Sequence, residues 1–180
     1  MNSESAKILI TGTPGCGKTT AIMKILEKLD CKNVAGFFTQ EIRHNGKRLG
    51  FRWERLDGAI GTLAHVDIKG RFKVGKYGVD VAGFEEAIVP ILDTGENAEL
   101  FVIDEIGKME CFSEKFAAAV RRLFESDKSV IATVAKKGAG FISEIKNYPN
   151  MQLFNLSKDN RDKTIAEILR ALSFLQKSYK

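Results

Sequence analysis

Lys18 and Thr19 stand at the end of Gly12-Thr13-Pro14-Gly15-Cys16-Gly17-Lys18-Thr19, a Gly-x-x-x-x-Gly-Lys-Thr spacing. That spacing suits a loop that holds phosphate, the Walker A or P-loop pattern. Gly12, Gly15 and Gly17 admit backbone dihedrals closed to residues with a Cβ, which turns several N–H groups inward as a nest for phosphate oxygens. Lys18 brings an ammonium to the β- and γ-phosphates, and Thr19 offers a hydroxyl to Mg²⁺. A bare turn has no use for Lys-Thr after its last glycine.

A second set of chemistry-bearing residues lies about 90 positions downstream. Leu100-Phe101-Val102-Ile103 is an apolar run that ends in Asp104-Glu105. Four apolar residues followed by an acid form the Walker B arrangement. The carboxyl end of such a strand is where open α/β sheets bind ligands. Asp104 is expected to hold Mg²⁺, directly or through water, opposite Thr19. Glu105 is then free to orient or deprotonate a water.

Other reactive side chains form weaker patterns. Cys16, Cys31 and Cys111 are odd in number and contain no Cys-x-x-Cys pair, so neither a disulfide framework nor a zinc site is indicated. Cys16 is either a thiol activated by the inward N–H groups of the loop or a small residue at a variable loop position. His44 and His65 are too few for a histidine-based metal cluster. Arg43, Arg48, Arg52 and Arg55 lie together; one of them could reach a γ-phosphate, while the simpler reading is the wet face of a two-sided sheet.

The elements needed to position these groups are present. Ile8–Thr11 reads as a buried strand before the loop, and Ile22, Ile25, Leu26 and Leu29 fall on one face of a helix after it. Val34–Thr39 reads as a second strand. Asn45-Gly46 then marks a hairpin, with Leu49, Phe51 and Trp53 alternating against polar residues. Asp57-Gly58 turns into Ile60–Val66, so a small antiparallel meander follows. Residues 69–78 read as loop and residues 84–92 as a helix that Pro90 bends or shortens. Residues 93–99 read as a polar linker. Ser113 is placed to cap a helix with Phe116, Val120, Leu123 and Phe124 on its inner face. Val130–Val134 and Met151–Leu156 read as strands, separated by the basic Lys136–Gly140 loop. Asn160 is placed to cap a closing helix striped by Ile165, Ile168, Leu169, Leu172 and Leu175.

Composition sets outer limits. A chain of 180 residues suits one domain, taken as residues 1–180. No apolar run approaches the roughly 20 residues needed to cross a bilayer, and Met1–Lys7 lacks the apolar region of a leader, so a cytoplasmic location is expected. The net charge of +5 and pI of about 9.1 suit an anionic ligand. Nucleic acid is compatible with that charge, but the basic residues are spread rather than blocked.

Strands alternating with helices around the glycine-rich loop imply a three-layer α/β domain with a largely parallel central sheet and an antiparallel hairpin insertion. The motifs go further. Asp104-Glu105-Ile106-Gly107-Lys108-Met109-Glu110 resembles the signature of the nucleoside-triphosphatase family described from thermophiles, which includes the cancer-related human nucleoside-triphosphatase. Gly36–Arg43, Arg48–Phe51, Tyr77-Gly78-Val79 and Asn160-Arg161-Asp162 are similar to other blocks of that family. The resemblance implies a RecA-like fold and Mg²⁺-dependent hydrolysis of ATP, GTP, CTP and UTP, with loose base selectivity. It also implies nucleotide contacts at Thr13, Pro14, Gly15, Cys16, Gly17, Lys18, Thr19 and Thr20. A second stretch of implied contacts comprises Phe101, Val102, Ile103, Asp104, Glu105, Ile106, Gly107 and Lys108. Lys18 and Glu105 are the candidate catalytic residues, and Thr19 and Asp104 the candidate metal ligands. Lys108 either approaches the phosphates or neutralises Glu105 and Glu110. Arg161 either reaches the nucleotide or opens the closing helix.

Two other activities fit the same residues. A nucleotide or small-molecule kinase shares the loop and the size, and the hairpin arginines would form its lid; Glu105 directly after Asp104 favours water activation instead. A nucleotide-dependent module that binds nucleic acid or protein is compatible with the basic pI.

Overall fold

Strand β1 (Lys7–Gly12) sends Leu9 to one side of a sheet and Ile8 and Ile10 to the other. This period-2 partition repeats in β7 (Leu100–Ile106), where Phe101 and Ile103 oppose Leu100 and Val102, and in β8 (Ser129–Val134), where Val130 and Ala132 oppose Ile131. All three strands therefore carry apolar residues on both faces, as strands covered by helices must. The computed structural model describes residues 5–29, 31–94 and 97–175. Met1–Glu4, part of the expected leader-free terminus, and Gly95-Glu96 of the expected linker lie outside the described residues.

Helices cover both faces. On one side lie α1 (Lys18–Leu29) and α5 (Arg161–Ala171), with Ile22, Ile25, Ile165 and Ile168 packed inward. On the other lie α2 (Val81–Thr94), α3 (Glu114–Glu125) and the short α4 (Phe141–Ile145). Phe84 of α2 and Phe116 of α3 meet Phe37 of β2 (Val34–His44) edge to face, with ring centroids 5.6 and 6.0 Å away, and meet each other at 5.3 Å. Each such pair adds about 0.5–1.5 kcal/mol beyond its buried area, which fixes α2 and α3 against the centre of the sheet. Ser113 caps α3 as its position predicts, accepting from Phe116 N at 2.9 Å.

The remaining strands are β3 (Lys47–Arg55), β4 (Ile60–His65), β5 (Lys73–Val74), β6 (Tyr77–Val79) and β9 (Met151–Leu156). Among the described residues they form one sheet in the order β5-β6-β4-β3-β2-β7-β8-β1-β9. Pairings from β2 to β9 are parallel, and those from β2 to β5 antiparallel. The sheet is thus mixed, with the antiparallel part larger than an inserted hairpin. No turn residue interrupts Thr39-Gln40, so β2 runs through 11 residues, pairing with β7 near its start and with β3 toward its end. Asn45 and Gly46 both have positive φ, 47° and 75°, as a type I′ hairpin turn requires.

Three local expectations are corrected. Residues 69–78 are not all loop, because Lys73–Val74 and Tyr77–Val79 pair as a short hairpin. Of the two effects expected of Pro90, bending or shortening, shortening does not occur, since α2 continues to Thr94; Ile88 and Leu92 are buried on either side, and packing holds the helix through one missing backbone donor. Asn160 precedes α5 without capping it through its side chain. Its amide bridges the preceding loop instead, accepting from Ser157 N at 2.8 Å and donating to Asn155 O at 2.9 Å.

Candidate active site

The glycine-rich loop leaves the carboxyl end of β1 and enters α1 at Lys18. Gly15 and Gly17 adopt φ of +74° and +96°, the left-handed region that glycine enters without cost. The loop is closed by Cys16 N donating to Thr13 O at 3.1 Å. Its free N–H groups and the start of α1 give the positive end that attracts phosphate. Thr13, Pro14, Gly15, Gly17, Lys18, Thr19 and Thr20 all line one cleft of about 970 Å³. Cys16 does not line it: the thiol is buried at 4% exposure in the α1–α5 side of the core.

Strand β7 lies two positions from β1, with β8 between them. That spacing brings Asp104 and Glu105 to the cleft opposite the loop. The Asp104–Glu105 peptide is cis. Asp104 is 2% exposed and accepts from the Thr19 hydroxyl at 2.5 Å through Oδ2. Its Oδ1 accepts from the Thr133 hydroxyl of β8. Burial pushes the Asp104 carboxyl up from its ordinary range, while the two threonine hydroxyls pull it back. Glu105 is more open and pairs with Lys18, Oε2 to Nζ at 3.3 Å.

These oxygens meet the demands of a Mg²⁺ site. A buried carboxylate and a threonine hydroxyl converge, both hard donors. Among the described residues no group of three or more His, Cys, Asp or Glu side chains forms a metal cage. Mg²⁺ is ordinarily held by one or two carboxylates plus phosphates and water rather than by such a cage, so Thr19 and Asp104 fit it.

The rest of the expected contact stretch divides sharply. Gly107 and Lys108 line the cleft together with Asp104 and Glu105. Phe101, Val102, Ile103 and Ile106 do not; they are 0–2% exposed inside the core. Asp104 reaches the cleft because it lies toward the carboxyl end of β7, whereas Phe101, Val102 and Ile103 lie further back, where helices cover both faces of the sheet. Arg161 stands behind the loop, its guanidinium 3.4 Å from where a Cβ on Gly17 would be.

The structure adds residues that motif spacing did not single out. Thr133 is one; a hydroxyl near the carboxyl end of an apolar strand was its only sequence signal. Thr39 and Glu110, which fall within the blocks similar to the family's but take no site role from them, line the cleft, which continues to Arg48, Phe51 and Val74. Of the four hairpin arginines, only Arg48 is in its wall. Arg48 is braced by Glu41 at 2.7 Å and Tyr77 Oη at 3.0 Å, with its guanidinium 5.1 Å from the Phe51 ring centre. Arg43, Arg52 and Arg55 bond elsewhere, to Glu41, Gln40 and Asp57 respectively. Lys136 and Lys137 of the basic loop after β8 complete the rim.

A three-layer α/β fold with a glycine-rich loop facing two strand-end acids has the architecture of a nucleotide-handling protein. Within that class, the chain belongs to the family described as NTPase, whose pattern matches residues 7–169. It is 44% identical over 169 residues to the nucleoside-triphosphatase THEP1 of Thermotoga sp. strain RQ2, covering 93% of this chain and 96% of the relative. The crystal structure of THEP1 from the hyperthermophile Aquifex aeolicus superposes with a TM-score of 0.83 at 38% identity, covering 92% of this chain and 98% of the other. The solution structure of a human cancer-related nucleoside triphosphatase superposes with a TM-score of 0.79 at 35% identity, covering 98% and 100%.

Proposed function

We propose that this chain hydrolyses nucleoside 5′-triphosphates to diphosphate and phosphate, with loose base selectivity among ATP, GTP, CTP and UTP and a requirement for Mg²⁺. The observation that carries the reading is the convergence of Lys18, Thr19, Asp104 and Glu105 on one cleft. The triphosphate lies along the loop from Thr13 to Thr20, held by the backbone N–H groups there that are not already bonded within the loop. Lys18 exchanges part of its pairing with Glu105 for the terminal phosphates. Thr19 and Asp104 would hold Mg²⁺, which supplies charge neutralisation to the β- and γ-phosphates when bound. Glu105 takes the proton of the attacking water as its oxygen bonds to the γ-phosphorus. The bond from that phosphorus to the bridging oxygen breaks, and the diphosphate leaves.

One feature favours a second reading. The cleft extends past the acids to Thr39, Arg48, Phe51 and Val74, room that a phosphoryl acceptor would need in a nucleotide or small-molecule kinase. Product analysis separates the two. Each triphosphate is offered with Mg²⁺, with and without nucleoside monophosphates. Inorganic phosphate released at a rate indifferent to acceptor supports hydrolysis; phosphorylated acceptor at the expense of free phosphate sinks it.

A further inference from the structure

Glu110 opens a 3-10 turn (Glu110–Phe112) just beyond the Gly107-Lys108-Met109 bend, and the mechanism above gives it no part. Its carboxyl lines the cleft yet is only 4% exposed, and no ion pair to it forms among the described residues. Oε1 accepts from the Thr39 hydroxyl at a long 3.4 Å. Gly107 sits between this carboxyl and that of Glu105. A Cβ on Gly107 would stand 2.8 Å from Glu110 Oε2 and 3.1 Å from Glu105 Oε1. The two carboxyl oxygens are thus separated by no more than the sum of those distances, with no side chain on Gly107 to come between them.

A buried carboxyl with other carboxylates near it favours its protonated form. Burial pushes Glu110 up to about 8, and the charges of Glu105 and Asp104 add to the rise against the pull of backbone N–H groups. The charged groups around it are Asp104 and Glu105 of β7, Lys18 of α1 through its pair with Glu105, and Lys108 on the same wall. Thr39 of β2 brings only a hydroxyl. The adjacent Cys111 thiol, pushed up to about 12 mainly by burial, stays neutral.

We propose that Glu110 is a positioning residue for the hydrolytic step: as the neutral acid it donates its O–H across Gly107 toward the Glu105 carboxylate and holds that base in line with the attacking water. A neutral acid at this place also adds no negative charge to a wall that must receive a triphosphate. The inference rests on the hydrolase reading, and it assigns Glu110 a donor's task rather than a base's. Glutamine can perform such a task, since its amide also donates and carries no charge.

The test compares the parent with Glu110→Gln, Glu110→Ala and Glu110→Met, measuring kcat and KM for ATP and GTP with Mg²⁺ from pH 6 to 9.5. Loss of a hydrogen bond to a charged group is expected to lower kcat by about 10–100-fold in the Ala and Met variants, with KM within about threefold. The parent is expected to lose kcat as pH rises above about 8; the Gln variant should stay within about threefold of the parent at pH 7 and lack that fall. The methionine variant keeps the volume of the side chain, so one apolar variant remains measurable if Ala melts below the assay temperature. Apolar variants at parental kcat overturn the proposal. So does a Gln variant as slow as Ala, which would mean that the ionised carboxylate is needed. A parent that releases no phosphate overturns the hydrolase reading together with this inference. A hydrolysing parent with indifferent variants overturns the role of Glu110 alone.

Discussion

Thr133→Val tests how the putting-together of Asp104 depends on a strand with no motif of its own. The substitution keeps the shape of a side chain that is fully buried and deletes the hydroxyl that donates to Asp104 Oδ1. Asp104 then keeps one hydroxyl donor, Thr19 on Oδ2, and as a proposed Mg²⁺ ligand it is less firmly oriented. A hydrogen bond to an ionised group contributes about 1.5–3 kcal/mol, and each 1.4 kcal/mol is roughly tenfold. The apparent Mg²⁺ affinity in phosphate release should therefore fall by about 10–150-fold. Turnover at saturating Mg²⁺ should recover to near the parental value, because Lys18 and Glu105 are untouched. Thr133→Ser restores the donor and should restore the affinity. Mg²⁺ titrations at fixed, saturating ATP measure the effect, and a thermal melt checks the fold. If the Thr133→Val and parental titrations overlay in a folded protein, Thr133 does not orient Asp104 for metal.

Glu105→Gln removes a base while keeping its size, so kcat should fall by about 10²–10⁴-fold. Because Lys18 is released from its 3.3 Å pair, equilibrium titration with a fluorescent triphosphate should show unchanged or tighter binding; Asp104→Asn should weaken both binding and turnover. Lys18→Ala should lower kcat/KM by at least about 10²-fold and leave the thermal midpoint nearly unchanged, since the lysine faces the cleft rather than the core; parental kcat/KM in the folded variant would remove Lys18 from the site. Cys16→Ala should retain most activity, and Cys16 should resist alkylation in the folded protein because it is buried; mass spectrometry after brief iodoacetamide treatment reads this directly, and rapid labelling of Cys16 would contradict the packing. Glu110 binds a proton more tightly folded than unfolded, so it lowers stability as pH rises from the ordinary carboxylate range toward about 8. Chemical denaturation should show stability fully retained by this group below about pH 4.5, lost progressively up to about 8 and flat above; Glu110→Gln should flatten that slope, and parallel slopes would refute it.

The phosphate loop, the acid-tipped strand and the helices on either side were legible because each rests on local rules. Glycines at fixed offsets, period-2 and period-3.6 apolar patterns and an Asn-Gly turn all act within a dozen residues. What stayed hidden depends on tertiary neighbours. Thr133 becomes informative only when β8 is known to lie between β1 and β7. Phe101, Val102, Ile103 and Ile106 share a contiguous stretch with Asp104, but both faces of the strand are covered, so they are buried in the core on one side or the other. The four hairpin arginines look equivalent in sequence, and only strand register and the β6 neighbour Tyr77 bring out Arg48. The pairing of residues 73–79 rests on two and three residues per strand, too short for any periodicity to show.

The unbroken course of β2 has a consequence for how such an enzyme can change. Val34–Phe38 is bonded to the acid-bearing strand, whereas the same strand from Phe37 to His44 carries the wall formed with β3. Mutations at Glu41, Arg48, Phe51 or Val74 alter what fits the outer cleft without touching the loop or the acids that face the phosphates. Selection, or a protein engineer, can therefore redraw the molecule's preference for what accompanies the triphosphate while its hydrolytic half is inherited intact. Excising the wall is a different matter. It would strip an eleven-residue strand of one partner along most of its length and leave a raw sheet edge beside the reaction centre, so substitution on that wall costs the fold less than its loss.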